Sequence, residues 1–266
     1  MVEALDIVKP GLATTVQDLG RPGYYHLGIP LSGAMDRYAL EAANLLVGNA
    51  AGDAALEAVF LGPEIRFRAP ATVAVTGAEM PPKLDGAEQP GWTAFPVRAG
   101  QTLSFGFLKS GARAYVAVSG GIDVPVVLGS RSTYALGALG GHEGRALKAG
   151  DVLALGAARG AETPGRAVPP PLRGGPGDGP GGGPAGGEPV LRVLPGLYRH
   201  RVTEEAGARF FEDRWTVAPE ADRIGYRFRG GRKLDFVPRA QPFGAGSDPS
   251  NIVDSCYPYG SVPPGT

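Results

Sequence analysis

The chain has 266 residues with 26 acidic and 26 basic side chains. That balance leaves no electrostatic footprint for nucleic acid or an anionic membrane surface, so the expected partner is a small molecule or another protein. A single cysteine, Cys256, excludes an internal disulfide framework and a cysteine-based metal cluster and fits a reducing cytoplasm, while the length suffices for one large or two modest domains.

The N-terminal MVEALDIVKPG has acidic residues early and no apolar run of signal-peptide length. No segment approaches the roughly 18 apolar residues of a membrane span. Ala4 to Val8 alternates enough for a short strand, ended by Lys9-Pro10-Gly11. From Pro10 to Gly48 the chain is punctuated by glycine and proline and crowded with hydrogen-bonding side chains, among them Thr14, Thr15, Gln17, Asp18, Arg21, His26, Ser32 and Asp36. Long loops of this kind in compact domains are often functional, which makes this segment the candidate site. Asp36 is placed to cap a helix whose apolar residues run from Tyr38 to Val47, with Gly48 as a left-handed stop. The same Asp36 can instead be a carboxylate aimed at a substrate, and the helix N-terminus beside it favours an anion.

Beyond the helix, Ala54 to Phe60 is apolar around Glu57, and Gly62-Pro63 turns the chain into Glu64 to Arg68. Further strands are expected at 72–76, 83–84, 93–97, 101–105, 112–118 and 152–155, with Asp85-Gly86 as a hairpin turn. Short strands so closely spaced, with one clear helix, suggest a mainly β fold, a closed or nearly closed antiparallel barrel. The stretches around Arg98-Ala99-Gly100-Gln101 and Lys148-Ala149-Gly150-Asp151 share a pattern that reads as repeated turn chemistry. Residues 157–188, dominated by glycine and proline, cannot bury enough apolar surface to offset their ordering entropy, and read as a flexible linker between a domain at 1–156 and another at 189–266. In the latter, strands are expected at 190–194, 215–217, 224–229 and 234–237, and a helix at 203–211.

Several residues can carry chemistry. Gln17, Asp18 and Arg21 lie beside Gly20 and Gly23, where backbone can approach a ligand and Arg21 can grip a carboxylate; the alternative is a loop locked by its own hydrogen bonds. His26 can exchange protons near neutral pH or be structural. Glu57, if buried, is a proton donor or acceptor, or else an ion-pair partner of Arg66 or Arg68. Ser119-Gly120-Gly121 has the makings of an anion nest, and Ser130-Arg131-Ser132 offers a guanidinium between two hydroxyls; each can equally be an ordinary turn. Arg223, Tyr226 and Asn251 are polar candidates in the C-terminal part. There is no GxxxxGK[ST] phosphate loop, and Ala34-Met35-Asp36 lacks the lysine that would carry biotin.

The segment TTVQDLGRPGYYHLGIPLSGAMDRYALEAANLLVGN resembles the opening signature of the biotin-dependent carboxyltransferase family, which includes the C-type component of 5-oxoprolinase (KipA), allophanate hydrolase subunit 2 and the carboxyltransferase domain of urea carboxylase. Glu57, residues 117–125, Ser130-Arg131-Ser132, residues 223–228 and residues 250–254 are also similar to it. The resemblance implies two tandem cyclophilin-like β-barrel domains, of which the second is expected to be incomplete because family members continue further. It implies a C-type component of an ATP-dependent 5-oxoprolinase, working with an A-type partner protein and a B-type, KipI-like partner protein, with ATP used by the complex and no covalently bound cofactor. Under that reading Arg21 or Arg131 binds the substrate carboxylate, and Asp36 or Glu57 handles a proton. Two other readings stay open: carboxyl transfer from a partner's carboxybiotin to urea or a related amide, and a non-enzymatic regulatory protein that sequesters a KipI-type kinase inhibitor.

Overall fold

The structure is a computed structural model that describes residues 2–159, 164–173, 193–196, 198–221, 223, 225–240, 243–244 and 246–250. It divides into two compact units, Met1–Leu191 and Arg192–Thr266.

In chain order the first unit contains β1 (Val2–Lys9), β2 (Thr15–Gln17), α1 (Arg37–Leu46), β3 (Ala55–Val59), β4 (Glu64–Phe67), β5 (Ala71–Glu79), β6 (Pro82–Leu84), β7 (Ala87–Glu88), β8 (Ala94–Val97), β9 (Thr102–Phe105), β10 (Ser110–Val118), β11 (Ile122–Asp123) and β12 (Val152–Leu155). The strands form two antiparallel sheets, one ordered β11-β12-β1-β4-β9-β6-β7 and the other β2-β3-β10-β5-β8. The mainly β expectation holds, and the strands pair as two facing sheets.

Strand alternation explains how one sheet serves two layers. Val73 and Val75 of β5, Val116 and Val118 of β10 and Leu56 of β3 point into the core shared with Leu5, Ile7, Ile65, Phe67, Leu103 and Leu153 of the other sheet. Their neighbours Ala55, Ala74, Ala94, Tyr115 and Ala117 face outward and pack against Ala39, Leu40, Ala43 and Leu46 of α1. Alanine on both sides lets the helix lie close to the sheet. Burying Leu40 and Leu46 contributes roughly 1.5–3 kcal/mol each. At the start of α1, Asp36 accepts from the Ala39 N–H at 2.9 Å, and at its end Gly48 adopts φ 78°, as the sequence predicts.

The two matching turns have matching hydrogen bonds. Gln101 Oε1 accepts from the Arg98 N–H, and Asp151 Oδ2 from the Lys148 N–H, while Gly100 and Gly150 both take positive φ. They feed β9 and β12, which flank the central pair β1–β4 on opposite sides. Residues 164–173, within the stretch read as a linker, lie on the first unit: Ala167 bridges Thr93, and the Arg166 guanidinium donates to Leu45 O at 3.0 Å.

In the second unit α2 (Glu204–Glu212) is capped by Thr203, and β13 (Trp215–Val217) pairs with β14 (Phe228–Gly230). Of the strand expected at 224–229, residues 228 and 229 belong to β14, residues 225–227 are irregular and residue 224 lies outside the described residues. Residues 234–237 form no strand; Phe236 makes an isolated bridge to Val202 instead. Of the strand expected at 190–194, residues 193 and 194 are irregular and the rest lies outside the described residues.

Candidate functional site

The Pro10–Gly48 segment is organised by an ionic hub. Asp18 accepts hydrogen bonds from the Gly20 N–H at 2.7 Å, the Ser130 hydroxyl at 2.7 Å, the Arg131 N–H at 2.6 Å and the Ser132 hydroxyl. Its own N–H donates to Ser132 Oγ at 2.9 Å. The Ser130-Arg131-Ser132 triplet is thus the receptor for a carboxylate within the chain. Arg21, 1% exposed, donates to Ser32 Oγ at 3.0 Å and to the Ser132 carbonyl, while its Nε is buried with no partner among the described residues. Burial pulls its pKa below the ordinary value, opposed by the charge of Asp18. Gln17 lies on the outer face of β2, where its amide nitrogen donates to Thr15 Oγ1 at 3.0 Å and to Thr133 O at 3.3 Å. Of the two readings offered for Gln17, Asp18 and Arg21, the geometry matches the self-bonded loop.

A second cluster lies under the helix N-terminus. Strand register places Thr15, Glu57, Tyr115 and Thr76 side by side across β2, β3, β10 and β5. Glu57, 1% exposed, accepts from the Met35 N–H at 3.0 Å and from the Tyr115 hydroxyl at 2.8 Å, and the Tyr115 oxygen accepts from the Asp36 N–H at 2.8 Å. Burial, reinforced by the Glu57 charge, pushes the Tyr115 hydroxyl far above its ordinary pKa. The cation near Glu57 is Arg113, at 3.6 Å, two residues before Tyr115 on the same strand face. Arg68, offered by sequence proximity, pairs with Asp6 at 2.6 Å in the other sheet.

Segment 32–36 joins the two clusters: Ser32 meets Arg21, the Ala34 N–H donates to Asp18 O at 2.8 Å, Met35 meets Glu57 and Asp36 meets Tyr115. Arg21, Asp36 and Glu57 therefore belong to one network, but the first and last are enclosed in it. The helix N-terminus expected to favour an anion is occupied by the Asp36 carboxylate itself. His26 is exposed on the 3-10 turn Tyr25–Leu27.

The Ser119-Gly120-Gly121 N–H groups expected to form an anion nest are spent internally. Ser119 donates to Thr72 O, Gly120 to Asn49 Oδ1 and Gly121 to Val118 O, each within 2.9 Å. The loop instead borders a cleft of about 200 Å³, together with Asp53, Asp123, Arg131 and Arg159. Arg131 turns its guanidinium toward this cleft and away from the hub, donating to Val124 O at 2.9 Å and Asp123 Oδ1 at 3.0 Å. Arg223 and Tyr226 belong to the second unit, where Tyr226 is 47% exposed; Asn251 lies outside the described residues. Sequence reading missed Tyr115, Arg113, Asp53 and Asp123. Only the first two had a signal, the alternation that puts residues 113 and 115 on one strand face.

Residues 27–265 match the family model described as carboxyltransferase domain, subdomain A and B. The chain belongs to this carboxyltransferase family. Urea amidolyase of Saccharomyces cerevisiae is 37% identical over 266 residues, which cover 97% of this chain and 14% of that protein. The C-type component of the Escherichia coli 5-oxoprolinase is 38% identical over 227 residues, covering 85% of this chain and 68% of that protein. The crystal structure of Kluyveromyces lactis urea amidolyase superimposes with a TM-score of 0.83 at 34% identity, covering 98% of this carboxyltransferase-family chain and 16% of the larger one. This chain thus spans a small part of the urea amidolyases and about two thirds of the oxoprolinase component.

Proposed function

We propose that this carboxyltransferase-family chain acts as the C-type component of an ATP-dependent 5-oxoprolinase, opening 5-oxoproline to glutamate with an A-type partner protein and a KipI-like, B-type one. The observation that carries this reading is the 38% identity to the Escherichia coli 5-oxoprolinase component, sustained over 85% of this chain and 68% of that protein. No phosphate loop occurs in the sequence, so in this reading the chain is not itself a P-loop ATPase and the ATP is used by the complex. Of the two arginines considered for the substrate carboxylate, Arg131 is the accessible one, with 38% of its side chain exposed and its guanidinium at the cleft. Of the two carboxylates considered for proton transfer, Asp36 is half-buried and Glu57 is enclosed by Tyr115 and Met35. Glu57 then acts through Tyr115 to hold Asp36, and Asp36 is the group that meets solvent or substrate.

A second reading, carboxyl transfer from a partner's carboxybiotin to urea or a related amide, draws on the match to urea amidolyase over 97% of the chain and on the TM-score of 0.83. One experiment separates them. The full chain is combined with its A-type and B-type partner proteins, and 5-oxoproline-dependent ATP hydrolysis is measured beside urea-dependent loss of carboxybiotin. Hydrolysis that requires all three proteins supports the first reading. Its absence in the complete complex rejects it, and urea-dependent loss of carboxybiotin with the carboxyl group appearing on urea selects the second.

A further inference from the structure

The cleft beside the Asp18 hub is small: about 200 Å³, below the roughly 300–1,000 Å³ typical of sites for drug-sized ligands. Two cation–carboxylate pairs line it, Arg131 with Asp123 at 3.0 Å and Arg159 with Asp53 at 3.4 Å. Neither pair is saturated. Arg131 uses Nε and Nη2, and among the described residues its Nη1 has no partner. Arg159 meets Asp53 through one nitrogen, and 66% of its side chain is exposed. Asp123 engages through Oδ1 alone among the described residues, which leaves Oδ2 as an acceptor.

Half of the remaining wall is glycine: Gly120, Gly121 and Gly156, beside Ala54, Ile122 and Ala157. Gly120 and Gly121 have φ of 92° and 70°, and a Cβ on Gly120 would overlap the Gly156 carbonyl, so no side chain can fill this side of the cleft. The position of Arg131 is fixed from behind, because its N–H is one of the four donors to Asp18. A partly used guanidinium held in place by its backbone is pre-organised for a bidentate carboxylate.

The charges on this wall cancel, which decides the ligand class. A simple anion gains the guanidinium contacts but has no donor for the Asp123 oxygen, and a neutral amide brings no carboxylate to the guanidinium N–H groups that Asp53 and Asp123 leave over. A compound with both a carboxylate and an N–H donor satisfies both halves. We propose that this cleft binds a small carboxylate that also carries an N–H group, the carboxylate on Arg131 and Arg159 and the N–H on Asp123. The site stands on its own geometry; only the choice of probe rests on the function proposed above.

The test uses three ring compounds of similar size and the isotope-labelled full chain, with the backbone N–H signals of Gly120, Gly121 and Gly156 as reporters. The probes are 5-oxoproline, which has both groups, 2-pyrrolidone, which lacks the carboxylate, and cyclopentanecarboxylate, which lacks the N–H. Titration with 5-oxoproline is expected to move the three glycine signals with a Kd on the order of 1 mM, and the other two compounds to bind about tenfold more weakly or worse. Arg159→Ala, at an exposed position, is expected to weaken 5-oxoproline about tenfold, as is Arg131→Gln. Should Arg131→Gln fail to fold, Arg159→Ala carries the test alone. Glycine signals that stay still with 5-oxoproline overturn the site, and so does unchanged affinity in Arg159→Ala. Equal binding of cyclopentanecarboxylate or 2-pyrrolidone overturns the two-group requirement. Binding without turnover in the three-protein assay would keep the site and reject the proposed reaction; turnover without glycine shifts would do the reverse.

Discussion

Tyr115 donates its hydroxyl hydrogen to Glu57 at 2.8 Å, across a strand pair that sets the two residues directly opposite each other. Because the same oxygen receives the Asp36 N–H, one phenol ties the entrance of α1 to the sheet beneath it. Tyr115→Phe leaves the Asp36 N–H without its acceptor and removes one donor from the buried Glu57 carboxylate, whose Oε2 keeps the Met35 N–H. The expected loss is about 2–3 kcal/mol, from a neutral and a charge-assisted hydrogen bond. Urea unfolding of the variant should show a lower midpoint at unchanged slope. A midpoint equal to that of the parent chain would mean that water replaces the hydroxyl, and that the phenol is not what holds the helix.

Gly140 is expected to tolerate no side chain. Its φ is 66°, and a Cβ there would overlap both the Ser132 carbonyl and the Arg21 guanidinium that donates to it. Gly140→Ala should cost about 1–2 kcal/mol in backbone strain and a further 1–3 kcal/mol in displacing the buried arginine. Gly150→Ala is the control, since φ is 91° but no atom lies within 4 Å of its Cβ. The two melting temperatures, measured side by side, separate strain from collision; equal losses would show that Arg21 moves aside freely.

Asp151 supplies the clearest acid dependence. Hydrogen bonds from Arg145, at 2.8 and 2.9 Å, and then from the Lys148 N–H hold its carboxyl at a pKa of about 2, below the ordinary 3.8. A depressed folded-state pKa means that the contribution is complete above the unfolded value and is lost as pH falls. Stability should therefore decline between about pH 3.8 and pH 2, and Asp151→Asn should flatten that part of a melting-temperature profile. An unchanged acid limb in the variant would assign the decline to other carboxylates.

How far the sequence could be read follows from how local each signal is. The Asp36 cap, the apolar spacing of α1 and the Asp85-Gly86 turn are written in consecutive residues, and each is present. The three-residue β2 and two-residue β11 were invisible, because Thr-Val-Gln and Ile-Asp become strands only by pairing with β3 and β12. Glu57 was recognised as a buried carboxylate, but its partner depends on register, and strand pairing delivers Arg113 and Tyr115 from more than fifty residues away. The cleft was illegible for the same reason. Its walls come from turns near residues 53, 120, 131 and 156, and no single stretch carries its chemistry.

Asp18 joins the two halves of the candidate site, and its charge is what the arrangement requires. Both of its oxygens accept: Oδ1 from the Gly20 N–H, Ser130 and Ser132, and Oδ2 from the Arg131 N–H. Asparagine matches its shape but presents one acceptor oxygen, so in either amide orientation an NH₂ group faces a donor that Asp18 now accepts from. Asp18→Asn is expected to cost about 2–4 kcal/mol, since buried donors are left unmet and Arg21 loses the negative charge that opposes its desolvation. The more telling consequence lies at the cleft, because the Arg131 N–H is anchored to Asp18 while its side chain faces the other way. Under conditions where Asp18→Asn is still folded, affinity for 5-oxoproline should fall along with stability. Arg66→Ala, on the exposed face of β4, should leave that affinity unchanged. If Asp18→Asn binds as well as the parent chain, the hub and the cleft are independent, and Arg131 is positioned by Asp123 and Val124 alone.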